Sequence, residues 1–378
     1  MAAMKNSSNS THDMQAAAAQ SVSGSVDGSD QVAIKTQELL HLSPAQRGWL
    51  RFKNNKRGYY SLWIFTVLFV ISLFAEFISN DKPLIVKFNQ EYYFPLFNDY
   101  PETVFDGDFE TKTDYNDPYI KNKITSNGNW AVYPLNPYRY DSINYFAELP
   151  NPARPSAQNM LGTDDRGRDV LARLIYGFRL SVLFALVLTA IGVIIGIIIG
   201  ALQGYFAGKV DLVTQRLIEI WSSMPELYLL IIFASIFKPS IALLIILLSL
   251  FGWMGLSDYV RAEFLRGRNL DYVQAAKSMG VSNVNIMLKH LLPNSMVPVL
   301  TFLPFRISGS ILALTSLDYL GLGVPPSTPS LGELLSQGKE NIEAWWLSMT
   351  TFSVLVGTLI LLIFIGEALR EALDTRRG

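Results

Sequence analysis

Cysteine is absent from all 378 residues, which excludes disulfides, cysteine-based zinc sites and thiol catalysis. Histidine is nearly absent: His12, His41 and His290 are scattered, and the first two sit in polar N-terminal sequence. That distribution supports neither a histidine metal cluster nor a Ser/His/Asp nucleophile arrangement. Charge is scarce, at 17% of residues with a net of −1, and gives no basic surface that would call for nucleic acid. A phosphate-binding loop is missing too. The nearest approach, GYFAGKVD at 204–211, has the wrong spacing and no Ser or Thr after Lys209. The polar first 40 residues argue against a cleavable signal peptide.

What the chain has is apolar length. Half its residues are hydrophobic, and they come in runs. Residues 180–208 carry no charge over 29 positions, 344–366 none over 23, and 58–75 none over 18. At about 1.5 Å per residue such runs cross about 30 Å of hydrocarbon. Backbone groups in lipid must be satisfied within the segment, so the runs are expected to be helices. The pattern predicts an all-α polytopic membrane protein with six spans: 59–78, 178–203, 212–237, 239–257, 296–319 and 345–366.

Residues 1–41 are poor in large apolar side chains and read as a disordered tail. In 42–58, Ser43, Pro44 and Gln46 have the spacing of a capped interfacial helix. Its cations Arg47, Arg51, Lys53, Lys56 and Arg57 directly precede the first span, which predicts a cytoplasmic N-terminus. Residues 79–172 are too long for a simple loop. With nine tyrosines between 79 and 160 they are expected to form an ordered extramembrane lobe. A core of 173–366 follows, then a tail, 367–378, placed in the cytoplasm by parity. In the second span Gly192, Gly196, Gly200 and Gly204 share one helix face, suited to close packing within the chain or against another subunit. The third span carries Arg216 and Glu219, an i,i+3 pair, followed by Pro225 and Glu226. Pro225, Glu226, Arg306 and Asp318 are the candidates for a pathway or gate, because polar groups at membrane depth must face a cavity or a partner. Asp164, Asp165, Arg166, Arg168 and Asp169 are expected to make a salt-linked helix at the interface before the second span.

The most unusual stretch is polar and basic, 271–294, within a loop at 259–294. Residues 271–279 are expected to be helical, with Tyr272, Ala275, Ala276 and Met279 on one side. Gly280 ends that helix with a left-handed residue. Ser282 caps a second helix that runs to His290 and breaks at Pro293. Small alanines before a forced turn make a blunt knob suited to docking in a groove.

These residues resemble the cytoplasmic coupling loop of binding-protein-dependent ABC importer permeases, whose pattern is Glu-Ala-Ala, three residues, Gly, nine residues, Ile, one residue, Leu-Pro. Gln274, Ala275, Ala276, Gly280, Leu292 and Pro293 stand at matching positions; Gln274 replaces Glu, and His290 replaces Ile, as in the peptide branch. LGTDDRGRDVLARLIYGFRLS (161–181), SLDYLGLGVPPSTPSLGELL (316–335) and GEALREALD (366–374) resemble signatures of the oligopeptide, dipeptide and nickel permeases. The insert at 80–111 resembles the Yej-type subgroup, associated with peptide and microcin C uptake.

The resemblance implies the type I ABC importer permease fold and a bacterial inner-membrane location. It implies half of a heterodimeric pore, with a second permease subunit, one or two cytoplasmic ABC ATPases that use ATP and Mg, and a periplasmic substrate-binding protein. No cofactor would be held by this chain, which would not itself be an enzyme. Asp271, Gln274, Ala275, Ala276, Gly280, His290, Leu292 and Pro293 would form the ATPase-coupling loop. A dipeptide or nickel-chelate permease is the nearest alternative. A secondary transporter fits less well, because no internal repeat is visible and the loop would have no role.

Overall fold

The computed structural model describes residues 43–145 and 150–374. The expected disordered tail lies outside them, as do the last four residues. The chain opens with α1 (Pro44–Asn54), whose capping box is formed as expected: the Ser43 hydroxyl accepts from the Gln46 N–H, and the Ser43 N–H donates to Gln46. Helix α2 (Lys56–Leu73) follows, then a break at Phe74 and a single turn, α3 (Ala75–Ile78).

The lobe is ordered. Strand β1 (Ile85–Phe88) lies between β2 (Glu91–Tyr93) and β3 (Trp130–Val132) in an antiparallel sheet, with Val86 opposite both Tyr93 and Ala131. Helix α4 (Pro118–Thr125), started by Asp117, closes one face of the sheet with Ile120 and Ile124. Phe105 is fully buried at the centre, in edge contact with Phe88, Tyr93, Tyr100 and Tyr115. The tyrosine density of this stretch is thus the lobe's own small core.

The membrane core is arranged around α5 (Val170–Phe206), 37 residues capped by Asp169. After it come α6 (Gly208–Ser222), α7 (Glu226–Ile236), α8 (Ile241–Gly252) and α9 (Met254–Gly267). The loop helices α10 (Asp271–Ser278) and α11 (Asn283–Asn285) lead through a π-helical stretch, Ile286–Leu291, into α12 (Leu292–Tyr319). The chain ends with α13 (Leu331–Glu340) and α14 (Trp345–Leu373).

One face of α5 (Leu174, Phe178, Val182, Ala185) packs with Ile311, Leu334, Leu347 and Leu355 from α12, α13 and α14. Its glycine face meets α8 and α9. A Cβ on Gly200 would stand 2.5 Å from the Ser257 carbonyl oxygen, and one on Gly204 would stand 2.5 Å from Phe264 Cβ. The glycine spacing therefore serves packing within this chain, the first of the two uses it allowed. At the far end of α14, Ala368 and Ala372 seat Phe52 of α1.

Several elements differ in detail from expectation. Among the described residues four single helices are long and apolar enough to cross a membrane: Val170–Phe206, Ile241–Gly267, Asn283–Tyr319 and Trp345–Leu373. The expected third span is not one straight helix. It is α6 and α7, bent by 64° where Pro225 lacks the N–H to continue the ladder, and it makes a fifth span if the pair is taken as one. At the expected first span, α2 begins with Lys56 and Arg57 and runs to Leu73, and α3 carries the apolar run on to Ile78. The stretch 161–169 is not a salt-linked helix but a turn stabilised by side chains, and α5 starts only at Val170. Helix α14 also runs through most of the expected C-terminal tail.

Candidate functional site

The loop between α9 and α12 is built as a knob on a rigid stem. Helix α10 ends in a Schellman motif: the Gly280 N–H bonds the Lys277 carbonyl at 3.1 Å, and the Val281 N–H reaches back to the Ala276 carbonyl at 3.1 Å. Gly280 has φ +80°, a conformation that any side chain with a Cβ resists. The Ser282 hydroxyl then caps α11 by accepting from the Asn285 N–H.

The faces of α10 differ from expectation. Val273 and Ala276 point inward, onto a cluster with Phe264, Ile286 and Leu291, while Tyr272, Ala275 and Met279 face out. At 3.6 residues per turn, 272, 275 and 279 share one stripe, and 276 belongs with 273 on the next. Ala276 is therefore part of the knob's foundation. Met279, at 76% exposure, is its tip, with Val284 and Leu288 exposed beside it. Asp271, at the start of α10, is exposed.

Gln274, in the place of the family's Glu, is turned into the loop, where its side-chain N–H bonds the Arg268 carbonyl at 2.9 Å. Arg268 in turn bonds the Tyr205 carbonyl at 2.9 Å, and the Tyr205 hydroxyl bonds Asn283 at 2.7 Å. The loop is thus tied to the end of α5.

Pro293 does not break the helix. Residues Asn283–Tyr319 form one continuous helical element. The π-helical stretch just before Pro293 explains how: the wider turn makes room for a ring that cannot donate an N–H and would crowd the carbonyl four residues back. His290 is half-buried in that stretch and Leu292 follows it, half-buried too. Asn294 fastens the junction, donating to the His290 carbonyl and the Tyr272 hydroxyl, each at 3.2 Å.

At the other end of the core, where the lobe joins it, buried charge is concentrated. Asp164 and Arg168 are paired (Nε to Oδ2 2.7 Å), and Arg168 also meets Glu333 at 3.3 Å and the Pro326 carbonyl at 2.8 Å. Arg173, fully buried, is ion-paired with Glu333 and donates to the carbonyls of Tyr140 and Thr328, both at 3.3 Å. Asp169 accepts from Asn136, Asn159 and the Ala172 N–H at 2.7–2.9 Å. Burial nevertheless holds its carboxyl above the usual range, against the pull of those donors. Asp165 is raised as well, first by burial and then by the neighbouring Asp164.

Of the pathway candidates, Asp318 is committed to its own loop. Its carboxylate accepts from the Val324 N–H at 2.8 Å and from the Ser330 hydroxyl, bracing 320–330 over the start of α13. Pro225 and the exposed Glu226 mark the bend between α6 and α7. Arg306 lies half-buried in α12 with its guanidinium against Gly192 and Gly252, and its Nε has no hydrogen-bond partner among the described residues. Arg216 and Glu219 pair as the spacing predicted, on an exposed surface. The structure does not bring Glu226, Arg306 and Asp318 into one cluster.

Residues 192–378 match the family described as binding-protein-dependent transport system inner membrane component, and 43–100 match the N-terminal TM domain of oligopeptide transport permease C. The inner membrane ABC transporter permease protein YejE of Escherichia coli is 52% identical over 90% of this chain and 100% of its own length. The chain belongs to the ABC importer permeases.

Among these permeases, the peptidoglycan transport system permease protein YejE of Agrobacterium fabrum is 49% identical over 88% of this chain and 93% of its own length. The dipeptide transport system permease protein DppC of Lactococcus lactis is 30% identical over 89% of this chain and 91% of its own. The helical architecture and the apolar spans are those of the type I permease fold, with the lobe inserted ahead of α5.

Sequence reasoning missed Glu333 and Ser330 as partners of the charge cluster. They lie 160 and 12 residues from Arg173 and Asp318, respectively, and no local spacing connects an acid at 333 with an arginine at 173. The available signal was indirect: two buried arginines upstream need an acceptor, and SLGELL carries one in Glu333.

Proposed function

We propose that this permease is half of a paired translocation pore in an ATP-driven importer of peptides and peptide-bearing compounds. It lies multi-pass in the bacterial inner membrane, with both termini and the 259–294 loop in the cytoplasm and the lobe in the periplasm. A second permease subunit completes the pore, a periplasmic binding protein delivers substrate, and cytoplasmic ATPases bind and hydrolyse ATP. The sequence supports that division, since this chain has no phosphate loop.

The observation that carries the reading is the knob. Tyr272, Ala275 and Met279 offer a small apolar docking face, Gly280 fixes its end, and a continuous helix joins it to Tyr319. An ATPase that grips this face and closes would move α12 as a lever without first compressing a loop, a rigid-body route to alternating access. Peptides are the substrate class because the similar permeases are named for oligopeptide, dipeptide and peptidoglycan transport.

The test is substrate-stimulated ATP hydrolysis by the purified complex in lipid nanodiscs, with peptides of graded length and peptidoglycan fragments. Peptide stimulation that disappears when this chain is left out is the expected result. Stimulation by none of these compounds would overturn the substrate class, and ATP-independent uptake driven by an ion gradient would overturn the mechanism.

A further inference from the structure

One charge deep in the membrane core has no counter-charge. Arg306 stands near the middle of α12, and its guanidinium lies where α5 and α8 come together. Two glycines make the notch that holds it: a Cβ on Gly192 would stand 2.9 Å from its Nη2, and one on Gly252 would stand 3.3 Å away. Gly192 lies near the middle of the uncharged run 180–208, so the notch sits deep in the apolar layer. Of the carboxylates on α5, α8, α9 and α12, Asp258 accepts from Gln215 at 3.3 Å, Glu263 pairs with Arg266 at 3.1 Å, and Asp318 braces its own loop. None of them pairs with Arg306, whose Nε has no hydrogen-bond partner among the described residues.

The helices around it carry further unmet polar groups. Thr189 and Ser249 precede Gly192 and Gly252 by three residues, about one turn along the same two helices. Hydroxyls inside helices commonly close on a carbonyl of the preceding turn, as Thr301 and Thr315 do in α12 at 2.8 and 2.9 Å. The Thr189 and Ser249 hydroxyls are buried and have no partner among the described residues. Buried polar groups are usually paired, and three exceptions where the same helices meet ask for a ligand. Beside the notch there is room. Gly255 and Gly309, three residues beyond Gly252 and Arg306, are exposed, and a Cβ at either would meet no atom within 4 Å.

We infer that Arg306 binds the carboxylate of a transported peptide within the translocation path. An arginine at this depth is costly unless it faces a water-filled path or an anion. Guanidinium and carboxylate match as a bidentate pair, and every unblocked peptide brings a carboxylate at its chain end. The open space at Gly255 and Gly309 suits a ligand that comes and goes. A peptide as the bearer of that carboxylate rests on the transport reading above.

The test is equilibrium binding of radiolabelled peptides to the purified complex in nanodiscs, with the binding protein left out so that only the path selects. Trialanine should bind about tenfold more tightly than trialanine amide, in keeping with a hydrogen bond to a charged group. Arg306→Gln should close that gap, and Arg306→Lys should keep part of it. Arg216→Gln, which removes an exposed charge from α6, should leave it as in the parent. Ala-Glu-Ala amide, with its carboxylate on a side chain, separates two supporting outcomes: binding like trialanine extends the site to any cargo carboxylate, and binding like the amide confines it to chain ends. Equal binding of acid and amide by the parent, a gap that survives Arg306→Gln, or no saturable binding at millimolar peptide would each overturn the inference. Loss of the second permease subunit from the Arg306→Gln complex, with acid and amide bound equally by the parent, would assign the arginine to a subunit contact instead. The acid–amide comparison needs only the parent chain, so it stands even if the variants assemble poorly. Peptide-stimulated ATP hydrolysis by the parent with its binding protein, measured in parallel, separates a failed carboxylate site from a failed transport assignment.

Discussion

The two ends of the membrane core are held by different physics. At the lobe end, Asp164, Arg168, Arg173 and Glu333 form a buried ion network tied to the carbonyls of Pro326 and Thr328, and the adjacent Asp169 is bonded to Asn136 and Asn159. At the loop end the knob rests on a small apolar cluster and a few neutral hydrogen bonds, and its outer face is exposed. Breaking a buried charge network leaves uncompensated charge, whereas truncating an exposed apolar tip leaves almost nothing behind. The lobe end is built to keep one arrangement, and the loop end to be gripped from outside.

That contrast can be broken by substitution. The largest effect is expected for Arg173→Met, which strips Glu333 of its main partner and should cost about 3–5 kcal/mol. A sharp fall in the thermal midpoint of the detergent-solubilised chain would show it. A midpoint no lower than that of loop variants would erase the distinction between the ends. Next is Gly200→Leu, where even the added Cβ would stand 2.5 Å from the Ser257 carbonyl oxygen; overpacking of this kind costs about 1–3 kcal/mol. The same midpoint measurement should place it between the lobe-end and loop-end variants.

Gly280→Val forces a β-branched residue to φ +80°, a strain of about 1–3 kcal/mol confined to the loop. It should leave the midpoint of the core nearly unchanged and lower peptide-stimulated ATP hydrolysis by the complex. Normal hydrolysis in that variant would remove the knob from the coupling route. Smallest for the fold is Met279→Asp at the exposed tip, expected within about 0.5 kcal/mol of the parent. Its effect belongs to assembly: less ATPase should co-purify with the chain. If Met279→Asp instead destabilises the isolated chain, the tip is packed on its own protein and the docking face lies elsewhere.

Much of this was legible from local spacing. The Ser43 cap, the left-handed Gly280 and the four-residue glycine stripe are each decided by neighbours within a few residues or along one helix. Where two rules conflicted, spacing alone misled. Pro293 carries the ordinary sign of a helix break, but a π-helical stretch absorbs it. Ala276 continues the Gln-Ala-Ala motif by sequence, while the helical turn assigns it to the core. Features that join distant segments left almost no local trace, as with Glu333 and Arg173. The lobe could be anticipated as ordered from its tyrosines, but not its strand order.

The π-helical stretch at Ile286–Leu291 has a consequence for how the knob is aimed. Each residue added to or removed from an α-helix turns everything beyond it by about 100°. A wide turn of this kind works like one extra residue accommodated in place, so it sets the azimuth of the knob relative to α12. Removing one residue there would leave composition and hydrophobicity almost unchanged, yet it would swing Tyr272 and Met279 about a quarter-turn around the helix axis. The knob's chemistry could then be intact while its docking face pointed past its target.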